Sequence, residues 1–409
     1  MVEWKECTIG DLCSTISETY KGINESVILV NTSDVLDGKI LNHRLVKNRK
    51  LKGQFKKTFR KNDILYSEIR PKNKRFAFVD FDNTSNYIAS TKLMVLRHND
   101  AVLPEFLFLL LKSNKIIKEL QHLAETRSGT FPQITFSSEL APMKVRIPNK
   151  KTQHQVISLI SSIEKKIDIN EKINNNLEEQ IKLLCHSWLV DYAPFGYRQP
   201  SSWSTVSLSS IATFISGYSY KGMELSESDT VMATIKNFER NGGFKLSGYK
   251  EIRPSSKLKP NQYADLFDTL VAHTDLTQNA EVIGNAELVL SKSGYKDIVF
   301  SMDLVKVLPK EGVSKFLLAA LLRDGRFKTH ALGYINGTTV LHLSKKALQE
   351  FELLLPLDLN ELAPLAKAIE AMYRQIAANI DESIQLTNLR DTLLPKLMSG
   401  KLDLSHIEL

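Results

Sequence analysis

Two segments of this chain carry the same heptad pattern in the same phase, and that limits its fold more than any other feature. In the first, Ile160, Ile163, Ile167, Asn170, Asn174, Leu177, Ile181, Leu184 and Trp188 recur at alternating steps of three and four. In the second, Ile369, Met372, Ile376, Asn379, Ser383, Leu386, Arg390, Leu393 and Leu397 follow the same steps, each 209 residues after its counterpart. Such steps put side chains on one stripe of an α-helix, the seam of a coiled coil. Both stripes turn polar at mid-length, at Asn170 and Asn174 and at Asn379 and Ser383. Polar seam residues cost stability but fix register. Two polar centres at matching places predict helices crossing in antiparallel register, over about 153–192 and 361–398. A helix of about 38 residues is about 57 Å long at 1.5 Å per residue.

The segments before these helices also repeat. Trp4, Ile9, Leu12 and Ile16 match Trp203, Leu208, Ile211 and Ile215, and Lys21-Gly22 matches Lys221-Gly222. Asp63 and Leu65 match Asp268 and Leu270 in short apolar strands, each leaving into a polar loop that differs between copies. One loop is Ser67-Glu68-Ile69-Arg70, the other Ala272-His273-Thr274-Asp275. Gly129-Thr130 matches Gly337-Thr338 in a polar turn, followed by a strand and by Ser138 or Ser344, placed to start a turn of helix. The copies close on MKVRIP, ending at Pro148, and FELLLP, ending at Pro356. Pro200-Ser201-Ser202 reads as a hinge, and Pro395 with Ser399-Gly400 as the stop of the second helix. The expected fold class is α+β: two similar α/β domains joined by two long helices in an antiparallel coiled coil, an internal pseudo-twofold repeat. Domain one takes residues 1–150, the first helix 151–199, domain two 200–357, and the second helix with a tail 358–409.

Charge separates the two domains. The chain carries 54 Lys+Arg against 46 Asp+Glu. Residues 1–150 hold 25 against 16, and the other 259 hold 29 against 30, so the whole positive excess lies in the first domain. Such a surface attracts polyanions before any specific contact forms. No apolar run approaches the roughly 18 residues of a membrane span. No basic-then-apolar leader opens the chain, so the expectation is a cytoplasmic protein without a membrane partner. Three cysteines make no disulfide framework, and no Cys/His spacing suggests a metal site. The sequence has no GxxxxGK[ST] loop, GxGxxG, GxSxG or HExxH. Asp63 followed by Glu68-Ile69-Arg70 faintly resembles a nuclease core, but the second copy puts His273 and Asp275 in place of Glu68 and Arg70. Side chains that vary on a repeated scaffold suit readout, not chemistry. No cofactor and no catalytic residue are expected.

A Trp-led opening, a strand before a variable loop, a Gly-Thr turn and a heptad helix occur twice in the same order. With the C-terminal LRDTLLPKLMSGKL (389–402), they resemble the specificity subunit of a Type I restriction–modification enzyme, over essentially the whole chain. The resemblance implies two target-recognition domains, each reading half of a split double-stranded DNA sequence, held apart by the helices. It implies two docked methyltransferase subunits, restriction subunits that supply motor and nuclease, and no chemistry in this chain. In domain one, Lys72, Lys74 and Arg75 suit phosphates, and Arg70 suits a bidentate contact to guanine. Gln133, Gln278 and Asn279 suit adenine. Tyr20, Lys21, Tyr220 and Lys221 sit on matching loops, and Arg127, Thr130, His273, Thr274, Asn336 and Thr338 complete the candidate DNA face. The competing reading is a non-enzymatic coiled-coil adaptor binding protein or RNA, which would need no basic loops.

Overall fold

The structure, a computed structural model, describes residues 4–22, 24–48, 53–127 and 132–402, with the side chain of Arg127 left aside. It divides into two compact units, Met1–Lys165 with Thr387–Leu409, and Lys166–Leu386.

In the first unit, strand Trp4–Thr8 pairs antiparallel with Lys144–Pro148, Trp4 opposite Pro148. One four-stranded sheet orders Cys13–Ile16, Leu93–His98, Ile64–Ser67 and Phe76–Phe78, all antiparallel. A second orders Val46–Lys47, Ser26–Val30, Tyr87–Ser90 and Phe55–Lys57, and its central pair is parallel. Successive residues of a strand point to opposite faces. Ile64 and Tyr66 therefore enter one core and Leu65 the other, as Met94 and Leu96 part from Leu93 and Val95. A strand apolar on every residue serves two layers at once. The run PEFLFLLL makes a buried helix, Pro104–Leu111, started by Pro104, whose missing N–H is no loss in a first turn. Asn114–Arg127 follows it.

The second unit repeats this plan. Trp203–Ser207 pairs with Glu352–Pro356, Trp203 opposite Pro356. One sheet orders Ala212–Ser216, Leu304–Pro309, Thr269–Ala272 and Ala286–Leu288, and another Lys250–Glu251, Thr230–Ala233, Asp297–Phe300 and Tyr263–Ala264, again with a parallel central pair. Lys315–Leu322 is the buried helix and Gly325–Leu332 its follower. A third small sheet, Thr274–Asp275, Leu341–Leu343 and Ile335–Asn336, joins the copy's two variable segments.

The expected α+β class with two long helices is found. The first helix is Lys150–Leu189, its start capped by the Asn149 side chain, which accepts from Thr152 N–H at 2.9 Å. The second is Ala363–Met398. Pro395 lies inside this helix and does not stop it; the chain turns at Gly400, whose φ of +72° is a left-handed value that glycine adopts freely. A Cβ at Gly400 would stand 2.5 Å from Trp4 Nε1, so this position also requires the missing side chain.

Within the second unit, Asn170 Nδ2 donates to Glu382 Oε2 at 2.7 Å and to Ser383 Oγ at 3.3 Å, and Asn379 Nδ2 donates to Asn174 Oδ1 at 2.8 Å. As residue numbers rise on one helix they fall on the other, so the pair is antiparallel. Asn170, Ile181, Ile369, Ile376 and Asn379 are buried, while Asn174, Leu177, Leu184, Met372, Ser383 and Leu386 are half-buried. In the first unit Ile160 and Ile163 are buried and Leu393 is half-buried, as is Ile167 in the second. Tyr373 and Ala377, outside the heptad stripe, are buried too, because the helices also complete the core of the domain packed on them.

A further local expectation is corrected. The short helix Phe136–Leu140 is capped by Thr135, whose hydroxyl accepts from Ser138 N–H, so Ser138 does not start it. Just past the Pro200–Ser202 segment, Trp203 is 5% exposed, with the rings of Tyr192 and Phe195 edge-on to it at 5.6 and 5.4 Å. Three aromatic rings in edge contact pack that corner.

Candidate nucleic-acid interface

In the first unit the fully buried strand Ile64–Ser67 delivers the variable loop. Ser67 Oγ accepts from Ile69 N–H at 3.1 Å and turns the chain. The loop is then stitched to the segment after the Gly-Thr turn. Ile134 N–H donates to Glu68 O at 2.8 Å, Arg70 N–H donates to Pro132 O at 3.1 Å, and Gln133 Nε2 donates to Glu68 Oε2 at 2.9 Å. Arg70 and Gln133, 63 residues apart in sequence, thus share one surface. Arg70 and Lys74 both take left-handed backbone, φ 46° and 52°, at the two ends of the turn Pro71–Asn73. For a residue with a Cβ this costs about 1–2 kcal/mol. Arg70, Lys72 and Lys74 are exposed.

Other candidates are committed to the fold. The Arg75 guanidinium donates to Ser33 O at 2.9 Å and Val35 O at 3.3 Å, so it fastens a neighbouring turn. The Tyr20 hydroxyl accepts from Asn24 N–H at 2.9 Å and Asn48 Nδ2 at 3.1 Å, on the sheet that holds Phe55–Lys57. Lys21 beside it is exposed. Arg127 ends its helix, and Thr130, with Gly129, lies outside the described residues. The structure adds Lys92, with Nζ 3.8 Å from Glu68 Oε2, and beside it Lys57, whose ammonium donates to Thr91 O at 3.0 Å and Leu93 O at 2.8 Å and has its pKa lowered by burial and by Lys92 against the pull of Glu68. Neither lies in a segment that the repeat singled out, so the repeat gave no signal for them.

In the second unit the small sheet brings His273, Thr274, Gln278, Asn336 and Thr338 together. Thr274 pairs with His342, which pairs with Asn336, and Gln278 Nε2 donates to Thr338 O at 2.5 Å. Gln278, Asn279, Asn336 and Thr338 are exposed. Thr274 is buried, its hydroxyl donating to Asp303 Oδ1 at 3.0 Å. Asp275 is 2% exposed and organises the loop. Its oxygens accept from Thr277 N–H, Thr277 Oγ1, Val282 N–H and Ile283 N–H. Burial alone would raise its pKa, but these donors outweigh burial and hold it below the usual carboxylate range. The His273 imidazole is lowered by burial first, then by His342 and Lys345. Tyr220 packs beside Tyr218, Met232, Ile252 and Val299, while Lys221 is exposed.

Beside this loop lies a cleft of about 410 Å³ lined by Lys236, Arg240, Lys245, Phe238, Asp275 and Thr277 among others. Its three cations face the carboxylates of Glu239 and Asp275, and Arg240 pairs with Glu281 at 3.1 Å, so the lining carries only a small positive excess. The strand Leu341–Leu343, with His between two buried leucines, was the one available sign of His342. Among the described residues, no group of three or more His, Cys, Asp or Glu is placed to hold a metal ion. Among them too, no helix is long and apolar enough to cross a membrane.

Known proteins resemble this chain in sequence and fold. The family described as the Type I restriction modification DNA specificity domain matches residues 1–179. The Type I restriction enzyme HindI specificity subunit of Haemophilus influenzae is 31% identical over 462 aligned residues, covering 98% of this chain and 100% of that protein. The MjaIX specificity subunit of Methanocaldococcus jannaschii is 20% identical over 321 residues, 75% of this chain and 71% of that one. A Type I restriction-modification S subunit from M. genitalium, 16% identical, shares the fold at a TM-score of 0.58, over 97% of this chain and 96% of its own. Identity of nearly one residue in three from end to end settles the family: this chain is a Type I restriction enzyme specificity subunit.

Proposed function

We propose that this chain reads a bipartite sequence in double-stranded DNA, one half-site per recognition domain, and presents it to two methyltransferase subunits and to restriction subunits. The recognition domains are 1–150 and 200–357; the helices of 151–199 and 358–409 set their spacing and carry the partners. The chain itself does no chemistry and works in the cytoplasm.

The observation that carries this reading is the repeated readout platform. In both units a buried strand of the same sheet position releases a loop onto a second variable segment. The scaffold is kept and the side chains it presents differ: exposed Arg70, Lys72 and Lys74 with half-buried Gln133 in one, exposed Gln278, Asn279, Asn336 and Thr338 in the other. Two different half-sites call for such a pair. Phosphate contacts position and base edges specify. Arg70 reads guanine, Gln133 and Gln278 read adenine, and Lys72 and Lys74 grip phosphates.

The test is titration of the full chain with its methyltransferase partner against duplex DNA, duplex RNA and a mixed-sequence DNA at several salt concentrations. Binding to cognate duplex that exceeds mixed-sequence DNA and falls steeply with salt is the expected result. Equal binding to RNA, or salt-independent binding, would favour the adaptor reading.

A further inference from the structure

One side chain in the second unit joins four elements. Arg323 directly follows the buried helix Lys315–Leu322 and caps it through its backbone N–H. Its Nη1 donates to Glu178 Oε2 at 2.5 Å, on the first long helix, and to the Tyr373 hydroxyl at 2.9 Å, on the second. Its Nε is 3.2 Å from Glu287 Oε2, in the strand that follows the readout loop. Glu287 Oε1 in turn accepts from Gly243 N–H at 2.6 Å, in the turn whose Arg240 pairs with Glu281 of that loop at 3.1 Å. The side chains of Arg323 and Glu287 are 17% and 6% exposed.

Burial works against the charge on Arg323, but Tyr373, Glu287 and Glu178 hold its pKa well above the usual value. Burial pushes the Glu287 carboxyl up, opposed by Arg323. A desolvated charge cluster of this kind is a weak source of stability, since apolar side chains of the same volume serve as well. What it supplies is geometry. A guanidinium is a rigid planar fork, and partners on three elements leave it one orientation.

The first unit has a simpler contact at the matching place. Lys112 follows the buried helix Pro104–Leu111, and its Nζ lies 2.5 Å from Glu164 on the first long helix. Arg390 of the second long helix is 3.8 Å from the same carboxylate. A cation at the end of the same short helix thus reaches one long helix in the first copy and both in the second.

We propose that Arg323, with Glu178, Glu287 and Tyr373, forms a set of positioning residues that fixes the angle of the second readout loop on the long helices and so determines which spacer length between half-sites is accepted. This inference rests on the reading of the chain as a bipartite DNA reader. B-DNA turns once in about 10–10.5 base pairs, so one added base pair rotates a half-site by about 35° and moves it about 3.4 Å. A domain free to rock on its helices tolerates that change; a domain fixed by a fork does not.

The experiment compares the wild-type complex, assembled with its methyltransferase, with Arg323→Lys, Tyr373→Phe and the triple variant Arg323→Met, Glu178→Gln, Glu287→Gln. Substrates are plasmids carrying the target with its native spacer, with spacers one base pair shorter and longer, and with single half-site mismatches. The target is first read from DNA methylated by the wild-type complex. Off-spacer methylation relative to native is expected to rise about tenfold in Arg323→Lys, and by less in Tyr373→Phe. Discrimination against half-site mismatches stays as in wild type, an outcome that plain destabilisation would not give. A spacer ratio unchanged in every folded variant overturns the proposal, and so does loss of base discrimination with the spacer ratio intact. Should Arg323→Lys not fold, the triple variant, which removes all three charges together, carries the same decision. A wild-type complex that methylates no split target refutes the DNA reading itself, a different and separately visible failure.

Discussion

Arg70 and Lys74 lie four residues apart on one exposed turn, and their expected losses differ in kind. Arg70→Ala should cost about 1–3 kcal/mol on cognate duplex and relax preference at one base pair. Lys74→Ala should weaken every duplex alike and flatten the salt dependence by about one unit of slope. Titration of both against cognate and single-mismatch duplexes separates the roles; equal weakening of all duplexes by Arg70→Ala would move it to the phosphate set. Asp275 stands where the second copy aligns with Arg70, yet it is an internal anchor. Asp275→Asn should destabilise the loop by about 1–3 kcal/mol, because charge-assisted bonds are lost. The sign follows from its lowered pKa. The stabilisation is full above the ordinary carboxylate range and disappears as pH falls through the lower folded value. Thermal melts of wild type and variant should therefore converge in acid; a constant difference down to low pH would contradict the assignment. Residue type alone picked out Arg70, Lys72 and Lys74, which are exposed. It did not separate them from Arg75, because the carbonyls of Ser33 and Val35 that engage Arg75 lie about 40 residues away and are joined to it only by folding.

Among the elements, the long helices were the most legible. Their periodicity is local, and its repetition at one offset removes chance. The sheets were less so: the parallel pairing of Ser26–Val30 with Tyr87–Ser90 links strands some 60 residues apart, and no local pattern encodes a partner that distant. The polar centre of the seam yields a prediction of its own. Asn170 is fully buried, and its Oδ1 has no hydrogen-bond partner. Replacing Asn170 and Asn379 together by Leu should leave stability equal or raise it by about 1–4 kcal/mol, while the register becomes less well defined. Calorimetry reads the first effect and the uniformity of complexes with the methyltransferase reads the second. A lower melting temperature together with a single uniform complex would contradict this account of the asparagines.

At the scale of the whole molecule, a duplicated reader needs a stiff spacer, and the antiparallel helices are the candidate. Insertion of seven residues in both, between Asn174 and Leu177 and between Ser383 and Leu386, keeps the seam in phase. It lengthens each helix by about 10 Å. The recognised half-sites should stay the same while the distance between them changes by roughly three base pairs. Methylation still confined to the original spacing would mean that the helices do not set it.

The central claim, that this one chain dictates a split DNA target, is tested most directly by sequencing modified bases in the DNA of a host that expresses the chain with its methyltransferase partner. The expected result is methylation at a single motif, two short defined half-sites separated by a fixed run of unspecified bases, absent when the chain is withheld. Methylation at a continuous motif, or a pattern unchanged without the chain, would contradict it.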